Sequence, residues 1–327
     1  MYDDIAPLTA HPELPTDRPF THSHAAEVGI SREVLRRMVR EGLLRRVLKG
    51  VYVDAAAEDD LRMRARAVAL AVPDTAVVTD RTAAWLHGVD VLRPGDHLVP
   101  PPVEVFQAPG RTRVRTAANQ GGERTLLPED VQVVHGVRVT TPLRTALDLG
   151  RLARRDHALS ALDALLRLER FEKAELLASV ERFRRQRGVV QLREFAPLAD
   201  ARAESPGESV LRLRWLDAHL PAPEPQVEVR ENGLLRARLD LGIPELRFAA
   251  EYDGWDWHSS KEQRRHDRER RSWLRKHGWT IVVLTSREVY DEPWLAAQCI
   301  RAELLPLLRR RGVDPSLLQR HSDQWAG

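Results

Sequence analysis

An alternating pattern of apolar and charged residues around Asn232-Gly233 most constrains the fold of this chain. Asn-Gly between two such runs is the strongest short-range signal for a β-hairpin with a two-residue turn. A short strand is predicted over 226–229, and residues 236–241 and 248–253 alternate with the period of two typical of a strand. With helices before and after, this part of the chain reads as helix, three strands, helix, strand and helix. The order predicts an α/β domain.

The alternation also predicts that three carboxylates converge at the sheet. Glu251 and Asp253 are two residues apart and share a face, and Asp240 lies beside them if the two strands pair. Three converging carboxylates repel one another unless a cation lies between them. Mg²⁺ takes such oxygens and retains water that can attack a phosphodiester, and Mn²⁺ is a second choice. The alternative is that these acidic strand ends face solvent.

Asp240, ten intervening residues and the run Glu-Tyr-Asp-Gly-Trp-Asp-Trp-His at 251–258 form an ordered set. This set resembles the PD-(D/E)xK nuclease superfamily, and within it the domains related to very-short-patch-repair endonucleases. The run from His277 to Thr285 is also similar to that group, and the resemblance covers about 204–311. It implies a restriction-endonuclease-like α/β sandwich with a central mixed sheet, and a Mg²⁺-dependent endonuclease that hydrolyses DNA.

The resemblance implies a role for each matching residue. The implied catalytic residues are Asp240, Glu251, Asp253 and His258, of which the first three hold the metal, and the implied supporting residues are Glu208, Gln226, Asp267 and Arg270. His258 activates water or contacts phosphate in this scheme. Asp253 stands where the superfamily has Lys, which removes a positive charge from the site. A catalytically inactive nuclease fold is therefore the second interpretation.

Residues 261–272 contain no aliphatic or aromatic side chain, so this predicted helix has no deeply packed face over these turns. Two interpretations remain open. The helix lies along a DNA backbone, or it is a solvated surface stabilised by pairs such as Asp267 with Arg271. The phosphate contacts in the first interpretation are Lys261, Arg264, Arg265 and Arg268.

The chain before residue 55 has the pattern of a winged helix. Ser31 is a good N-cap for a short amphipathic helix, which ends before Gly42. Residues 45–53 alternate around Lys49-Gly50, as expected for a β-hairpin wing whose basic tip contacts phosphate. The alternative is a plain helical hairpin with a solvated basic face. The predicted nucleic-acid contacts are Arg32, Arg36, Arg37, Arg40 and Lys49.

The segments 28–32, 35–44 and 48–52 resemble the N-terminal winged helix of AbiEi-type antitoxins, which repress their own operons. The resemblance continues through 79–88 and 141–150, and it covers roughly residues 20–190. It implies DNA as a partner, with a toxin or other protein as a second. An antitoxin-like transcriptional regulator that carries an inactive nuclease fold is therefore the alternative to the endonuclease. A mismatch-specific nicking enzyme is a third hypothesis.

Composition and chain breakers suggest the domain boundaries. Of eight Trp, only Trp85 precedes residue 200, and Gly- and Pro-containing breaks interrupt helical periodicity over 186–206. The predicted organisation is an N-terminal tail (1–20), a winged helix (21–57), an α+β middle region (58–200), a nuclease-like domain (204–312) and a C-terminal tail (313–327).

Charge and cysteine content narrow the class of protein. Of 51 Lys and Arg residues only four are Lys, and an Arg excess fits a phosphate-rich partner, although a GC-rich genome produces the same bias. The single Cys299 excludes an intramolecular disulfide framework and a Cys-based zinc site.

No apolar run approaches the roughly 18 residues of a membrane span. The acidic start differs from a basic export signal, and we expect a cytoplasmic protein without membrane contact.

Overall fold

The computed structural model describes residues 13–91, 102–108, 110, 119–254 and 261–312. The chain divides into two compact units, Met1–Leu149 and Gly150–Gly327. Within the described ranges, none of the helices combines the length and the apolar character needed to cross a bilayer.

The first unit begins with a small three-stranded sheet and two helices. An antiparallel sheet in the order β1-β3-β2 packs against both helices, and the shared core contains Phe20, Ala25, Leu35, Met38 and Leu44. The Ser31 cap, the short helix and the wing hairpin are present as predicted. The elements are β1 (Phe20–Thr21), α1 (His22–Glu27), α2 (Arg32–Arg40), β2 (Leu44–Leu48) and β3 (Val51–Asp54).

The rest of the first unit is built on a five-stranded mixed sheet in the order β6-β5-β4-β8-β7. β4 is parallel to β8 and β5 is parallel to β6, whereas the other pairs are antiparallel. The elements are α3 (Leu61–Ala69), β4 (Val77–Val78), α4 (Asp80–Leu86), β5 (Val103–Gln107), β6 (Asn119–Glu123), β7 (Val131–Val134), β8 (Val137–Thr140) and α5 (Pro142–Leu152), which runs across the division between the units.

Buried arginine–aspartate pairs connect the elements around this sheet. The Arg124 guanidinium binds Asp80 at the start of α4 (2.8 and 3.0 Å) and Asp148 on α5 (2.9 Å). Arg144 binds the same Asp148 (2.8 Å) and also Asp130 (2.6 Å). Because Asp148 is fully buried, these two guanidiniums supply the charge compensation that its carboxylate needs.

The second unit contains the predicted order of helix, three strands, helix, strand and helix, preceded by further helices. Its four-stranded mixed sheet has the order β12-β11-β10-β9, with β11 parallel to β12. This order alone does not assign the sheet to a nuclease superfamily. The elements are α6 (Arg155–Leu166), α7 (Lys173–Ser179), α8 (Val189–Phe195), α9 (Pro206–Asp217), β9 (Glu224–Glu231), β10 (Leu234–Ile243), β11 (Phe248–Asp253), α10 (Lys261–Lys276), β12 (Thr280–Thr285) and α11 (Pro293–Arg310).

Helices cover both faces of the four-stranded sheet. Ala250 shares a core cluster with α9 and α11, whereas the adjacent Ala249 shares a cluster with Leu274 of α10. Successive side chains of a strand point to opposite faces, so α10 lies on the face opposite α9 and α11. The hairpin turn between β9 and β10 is formed as predicted, because Asn232 and Gly233 both have positive φ (51° and 80°).

The predicted alternation is wrong at one point of β10. Leu239 and Leu241 are two residues apart, yet they belong to different core clusters, so the strand changes face at Asp240. On the neighbouring strand, Gln226 has a φ of 56°, which interrupts the regular ladder. An irregular pair of this kind turns side chains away from the positions that strict alternation gives them.

The predicted boundary at 200–204 lies inside the second unit. Helix α6 packs against α9, and the Asp163 carboxylate on α6 accepts two hydrogen bonds of 2.7 Å from Arg212 on α9. Burial raises the pKa of Asp163, and the Arg212 guanidinium opposes this rise. The contact between α6 and α9 therefore crosses the breaks over 186–206, and the domain boundary at 200–204 stays a prediction.

We predict that Asp163→Ala destabilises the second unit far more than the loss of an exposed ion pair. The substitution leaves the Arg212 guanidinium buried without its carboxylate, which costs about 3–5 kcal/mol of unfolding free energy. The matched control is Asp217→Ala, which breaks an exposed pair with Arg155 (2.9 Å) and costs at most about 1 kcal/mol. Urea unfolding followed by Trp fluorescence measures both, because seven of eight Trp follow Gly150. Equal losses in the two variants would contradict the prediction.

Candidate functional site

Helix α2 has one buried and one exposed face. Leu35 and Met38 are buried in the core of the first unit. The opposite face carries four exposed arginines, which are the predicted nucleic-acid contacts Arg32, Arg36, Arg37 and Arg40. In the described ranges of the chain, no carboxylate forms an ion pair with any of the last three. The helix therefore presents uncompensated positive charge to solvent.

His22 connects the start of α2 with the turn of the wing. Its Nε2 is 2.8 Å from Nη2 of Arg32, and its backbone N–H donates to the carbonyl of Gly50 (3.3 Å). The Ser31 hydroxyl accepts from the backbone N–H of Val34 (3.3 Å), which caps the helix as predicted. These contacts fix the position of the first turn of α2 relative to the wing within the first unit.

The wing adds further basic groups. Lys49 is exposed at its turn, where Gly50 has a φ of 82°. Arg46 on β2 is also exposed, and sequence reasoning missed it although it stands in the predicted hairpin. Arg45 is different, because its Nη2 donates to the carbonyl of Ala57 (2.8 Å). The basic surface thus extends from α2 with Lys49 and Arg46 of the wing.

Asp240 lies beside β11, as the pairing of the strands predicted. Its Oδ2 accepts from the backbone N–H of Tyr252 (2.7 Å). Burial raises the pKa of Asp240 to about 7, and the negative charges of Glu208 and Glu251 add to this rise. The Tyr252 N–H and the Arg270 guanidinium oppose it. Asp240 is therefore within electrostatic range of Glu208 and Glu251.

Glu208 is held by residues at the start of α9 and by Gln226. The Ser205 hydroxyl donates to Oε1 of Glu208 (2.8 Å), and the Glu204 backbone N–H donates to Oε2 (2.9 Å). Nε2 of Gln226 donates to the same Oε2 (2.7 Å). Two predicted supporting residues, Glu208 and Gln226, are thus in direct contact.

Two guanidiniums from α10 bind the buried Glu251. Arg270 contacts both carboxylate oxygens (2.6 and 3.2 Å), and Nε of Arg271 contacts Oε2 (2.9 Å). Arg271 also reaches Asp253 (3.3 Å). Arg270 thus contacts one of the predicted metal ligands, and its supporting role in catalysis stays a prediction. The pair of Arg271 with Asp267, an example in the solvated interpretation of α10, is replaced by the contacts of Arg271 with Glu251 and Asp253. Arg271 turns to the sheet because α10 covers the face on which Glu251 and Asp253 lie.

Of the remaining predicted residues in the described part of the chain, only Asp267 contacts this cluster, through a long ion pair with Arg270. Asp267 is 3.9 Å from Arg270. Arg265 is exposed and pairs with Glu269 along the helix (2.8 Å), and Arg268 is exposed. His258 and the side chains of Lys261 and Arg264 lie outside the described residues.

The described carboxylates do not fit a divalent metal ion. Among the described residues, no three His, Cys, Asp or Glu side chains group as a metal site requires. Both oxygens of Glu251 are bound by guanidiniums, and an oxygen of Asp240 accepts a backbone N–H. The cation expected between the carboxylates is supplied here by Arg270 and Arg271. The expectation of Mg²⁺ or Mn²⁺ stays a prediction without support from these residues.

Comparison with family models relates the first part of the chain to antitoxins. Residues 17–53 match the model described as "Transcriptional regulator, AbiEi antitoxin", and residues 75–198 match the model described as "AbiEi antitoxin C-terminal domain". These matches support the AbiEi part of the sequence resemblance. Neither reaches residues 204–312, so they give no support to a nuclease resemblance there.

Two relatives come from Mycobacterium tuberculosis. They are Rv2248 of strain H37Rv and MT2308 of strain CDC 1551. Each is 37% identical to this chain over 275 residues, which is 83% of this chain and 97% of the relative. The similarity therefore extends over almost the whole of each relative.

We predict that Asp240 makes the stability of the second unit depend on pH. Its pKa is about 7 in the folded protein, against an ordinary 3.8. The folded state therefore binds the Asp240 proton more tightly than the unfolded state does. The contribution of Asp240 to the unfolding free energy falls as pH rises from the ordinary pKa to the pKa in the folded protein, and it is constant at higher pH. Asp240→Asn keeps an acceptor for the Tyr252 N–H but does not ionise, so its stability relative to the parent should rise over the same range.

Thermal unfolding of the parent and of Asp240→Asn at about pH 5 and about pH 8 measures this difference. We expect the melting temperature of the variant, relative to the parent, to be higher at the upper pH. An equal difference at both pH values would be inconsistent with the raised pKa.

Proposed function

The chain belongs to the family of the Mycobacterium tuberculosis proteins Rv2248 and MT2308, and from this premise we propose that it is an antitoxin-like, DNA-binding transcriptional regulator. The observation that carries the proposal is the exposed arginine face of α2. This helix lies within the segment that matches the model of the AbiEi transcriptional regulator.

The geometry of the first unit supports binding to duplex DNA. A helix with an exposed basic face fits the major groove, while a hairpin wing with a basic tip contacts the adjacent backbone. The contacts of His22 to Arg32 and to Gly50 fix the orientation of α2 relative to the wing before DNA is bound. Less conformational freedom is then lost on binding, which favours affinity.

We further propose a toxin or another protein as the second partner. The support is the match of residues 75–198 to the antitoxin C-terminal domain model. In this proposal, the first part of the chain binds DNA and the matched middle segment contributes to the protein contact.

Within this proposal, the sheet of the second unit serves as a non-catalytic scaffold. Glu251 is neutralised by Arg270 and Arg271 rather than left free to bind a metal. In the resemblance to the nuclease superfamily, Asp253 stands where that superfamily has Lys, which also speaks for a non-catalytic role. No observation on the described residues favours phosphodiester hydrolysis over this role, and we derive no catalytic step.

We predict that the double variant Arg36→Ala, Arg40→Ala weakens binding to DNA taken from upstream of the chain's own gene. Each lost phosphate contact lowers the slope of log K against log salt by about 0.9, so the slope should fall by about 2 and the affinity by roughly tenfold. Gel-shift titrations at several salt concentrations measure both quantities.

The matched control is Arg309→Ala, Arg310→Ala, which removes the same charge from the exposed end of α11. We expect this control to keep the parental affinity and salt slope. Parental binding by the α2 variant, or equal weakening by the two variants, would overturn the proposed DNA-binding face.

We also predict that the purified chain does not cleave plasmid DNA in the presence of Mg²⁺ or Mn²⁺ beyond the level of its Asp240→Ala, Glu251→Ala double variant. The reason is that guanidiniums occupy the oxygens of Glu251 that a metal would need. Circular dichroism verifies that the double variant is folded. Nicking by the parent that disappears in the folded variant would establish the endonuclease in place of the scaffold.

A further inference from the structure

One carboxylate interrupts the basic face of α2. Glu33 is exposed in the first turn, and its helical neighbours at i+3 and i+4 are Arg36 and Arg37. The helix dipole favours a negative side chain in the first turn, whereas the DNA backbone repels it. A carboxylate that is retained on a DNA-facing surface is therefore available to contact a hydrogen-bond donor on the DNA.

Glu33 is not used for contacts inside the protein. Across the residues that the structure describes, its carboxylate forms no hydrogen bond and no ion pair, although Arg37 is at the favourable i+4 position. Glu269 on α10, in contrast, is paired with Arg265 one turn away (2.8 Å). The cap of α2 is provided by Ser31, so the Glu33 carboxylate does not cap a backbone N–H, and its contribution to the helix is through the dipole alone.

The start of a recognition helix is the part that reaches base edges in the major groove. A carboxylate there accepts a hydrogen bond from the N4 amino group of cytosine, whereas guanine offers only the acceptors N7 and O6. Adenine also carries an amino group, at N6, but the adjacent N7 acceptor repels a carboxylate. The arginines around it neutralise phosphates and offset its repulsion from the backbone. An unpaired Glu within an arginine face thus has the chemistry of a base-reading group.

We propose that Glu33 determines the base preference of α2 by accepting a hydrogen bond from the N4 amino group of a cytosine. The inference rests on the proposed DNA-binding function and deepens it. The target site then contains a G·C pair at which the chain distinguishes cytosine from other bases. The chain also binds phosphates of the site, without regard to sequence.

The test is selection from a library of duplexes with a randomised core, followed by gel-shift titration of the selected duplex and its single-base variants. We expect the parent to require cytosine at one position, with a loss of roughly tenfold when it is replaced by thymine. Glu33→Ala should bind both duplexes with similar affinity. Glu33→Gln should shift the preference at that position towards adenine, because the Gln amide matches adenine N6 and N7.

Glu41→Ala is the matched control, since it removes the same charge from the other end of α2. We expect it to retain the cytosine requirement. Circular dichroism verifies that each variant is folded, and a purely structural role of Glu33 at the helix start would leave the base preference unchanged.

The outcomes distinguish this inference from the proposed function. Unchanged base preference in Glu33→Ala, a requirement for adenine in the parent, or binding by the parent without any preferred base would overturn the role of Glu33 while DNA binding stands. Failure of the parent to bind any duplex would overturn the proposed function itself.

Discussion

Buried carboxylates in this chain depend on guanidinium partners, and much of the architecture follows from that pairing. An ionised carboxylate out of water is strongly unfavourable unless a cation and hydrogen bonds compensate it. Arginine provides both through a planar group with several donors that remains charged when buried. Pairs of this kind join α4 to α5 in the first unit, and α6 to α9 and α10 to β11 in the second. The pairs are Arg124 with Asp80 and Asp148, Arg212 with Asp163, and Arg270 and Arg271 with Glu251.

The same pairing determines which cation compensates the carboxylates in the second unit. From the residues alone, Glu251 and its neighbours required a cation, and a divalent metal was one solution. The fold supplies the cation from α10, because the two guanidiniums lie on the face of the sheet that Glu251 occupies. The negative charge is then satisfied within the protein. Asp240 is compensated less well, since it accepts one backbone N–H and its pKa rises to about 7.

Local signals in the sequence predicted the elements but not the pairs between them. The Asn232-Gly233 turn and the Ser31 cap depend on residues a few positions apart, so both could be predicted. Asp163 and Arg212 are 49 residues apart, and no local pattern links them. Their contact joins α6 to α9 across the predicted boundary. The change of face at Asp240 was missed for the same reason, because it depends on the irregular backbone of the neighbouring strand.

Pairing also separates structural arginines from those available to a partner. Composition alone left open whether the arginine excess reflected nucleic-acid binding or genome bias. The buried guanidiniums of both units are committed to carboxylates, and Arg265 on α10 is paired even though it is exposed. On α2, Arg36, Arg37 and Arg40 are exposed, form no ion pair with any residue in the described ranges, and lie on one face of a helix within the segment that matches the transcriptional-regulator model. The arginines on this face outnumber its single carboxylate, Glu33, so they repel one another, and an anionic partner removes that repulsion. The argument for DNA therefore rests on the grouping of unpaired arginines on one helix face of the matched regulator segment, rather than on how much arginine the chain contains.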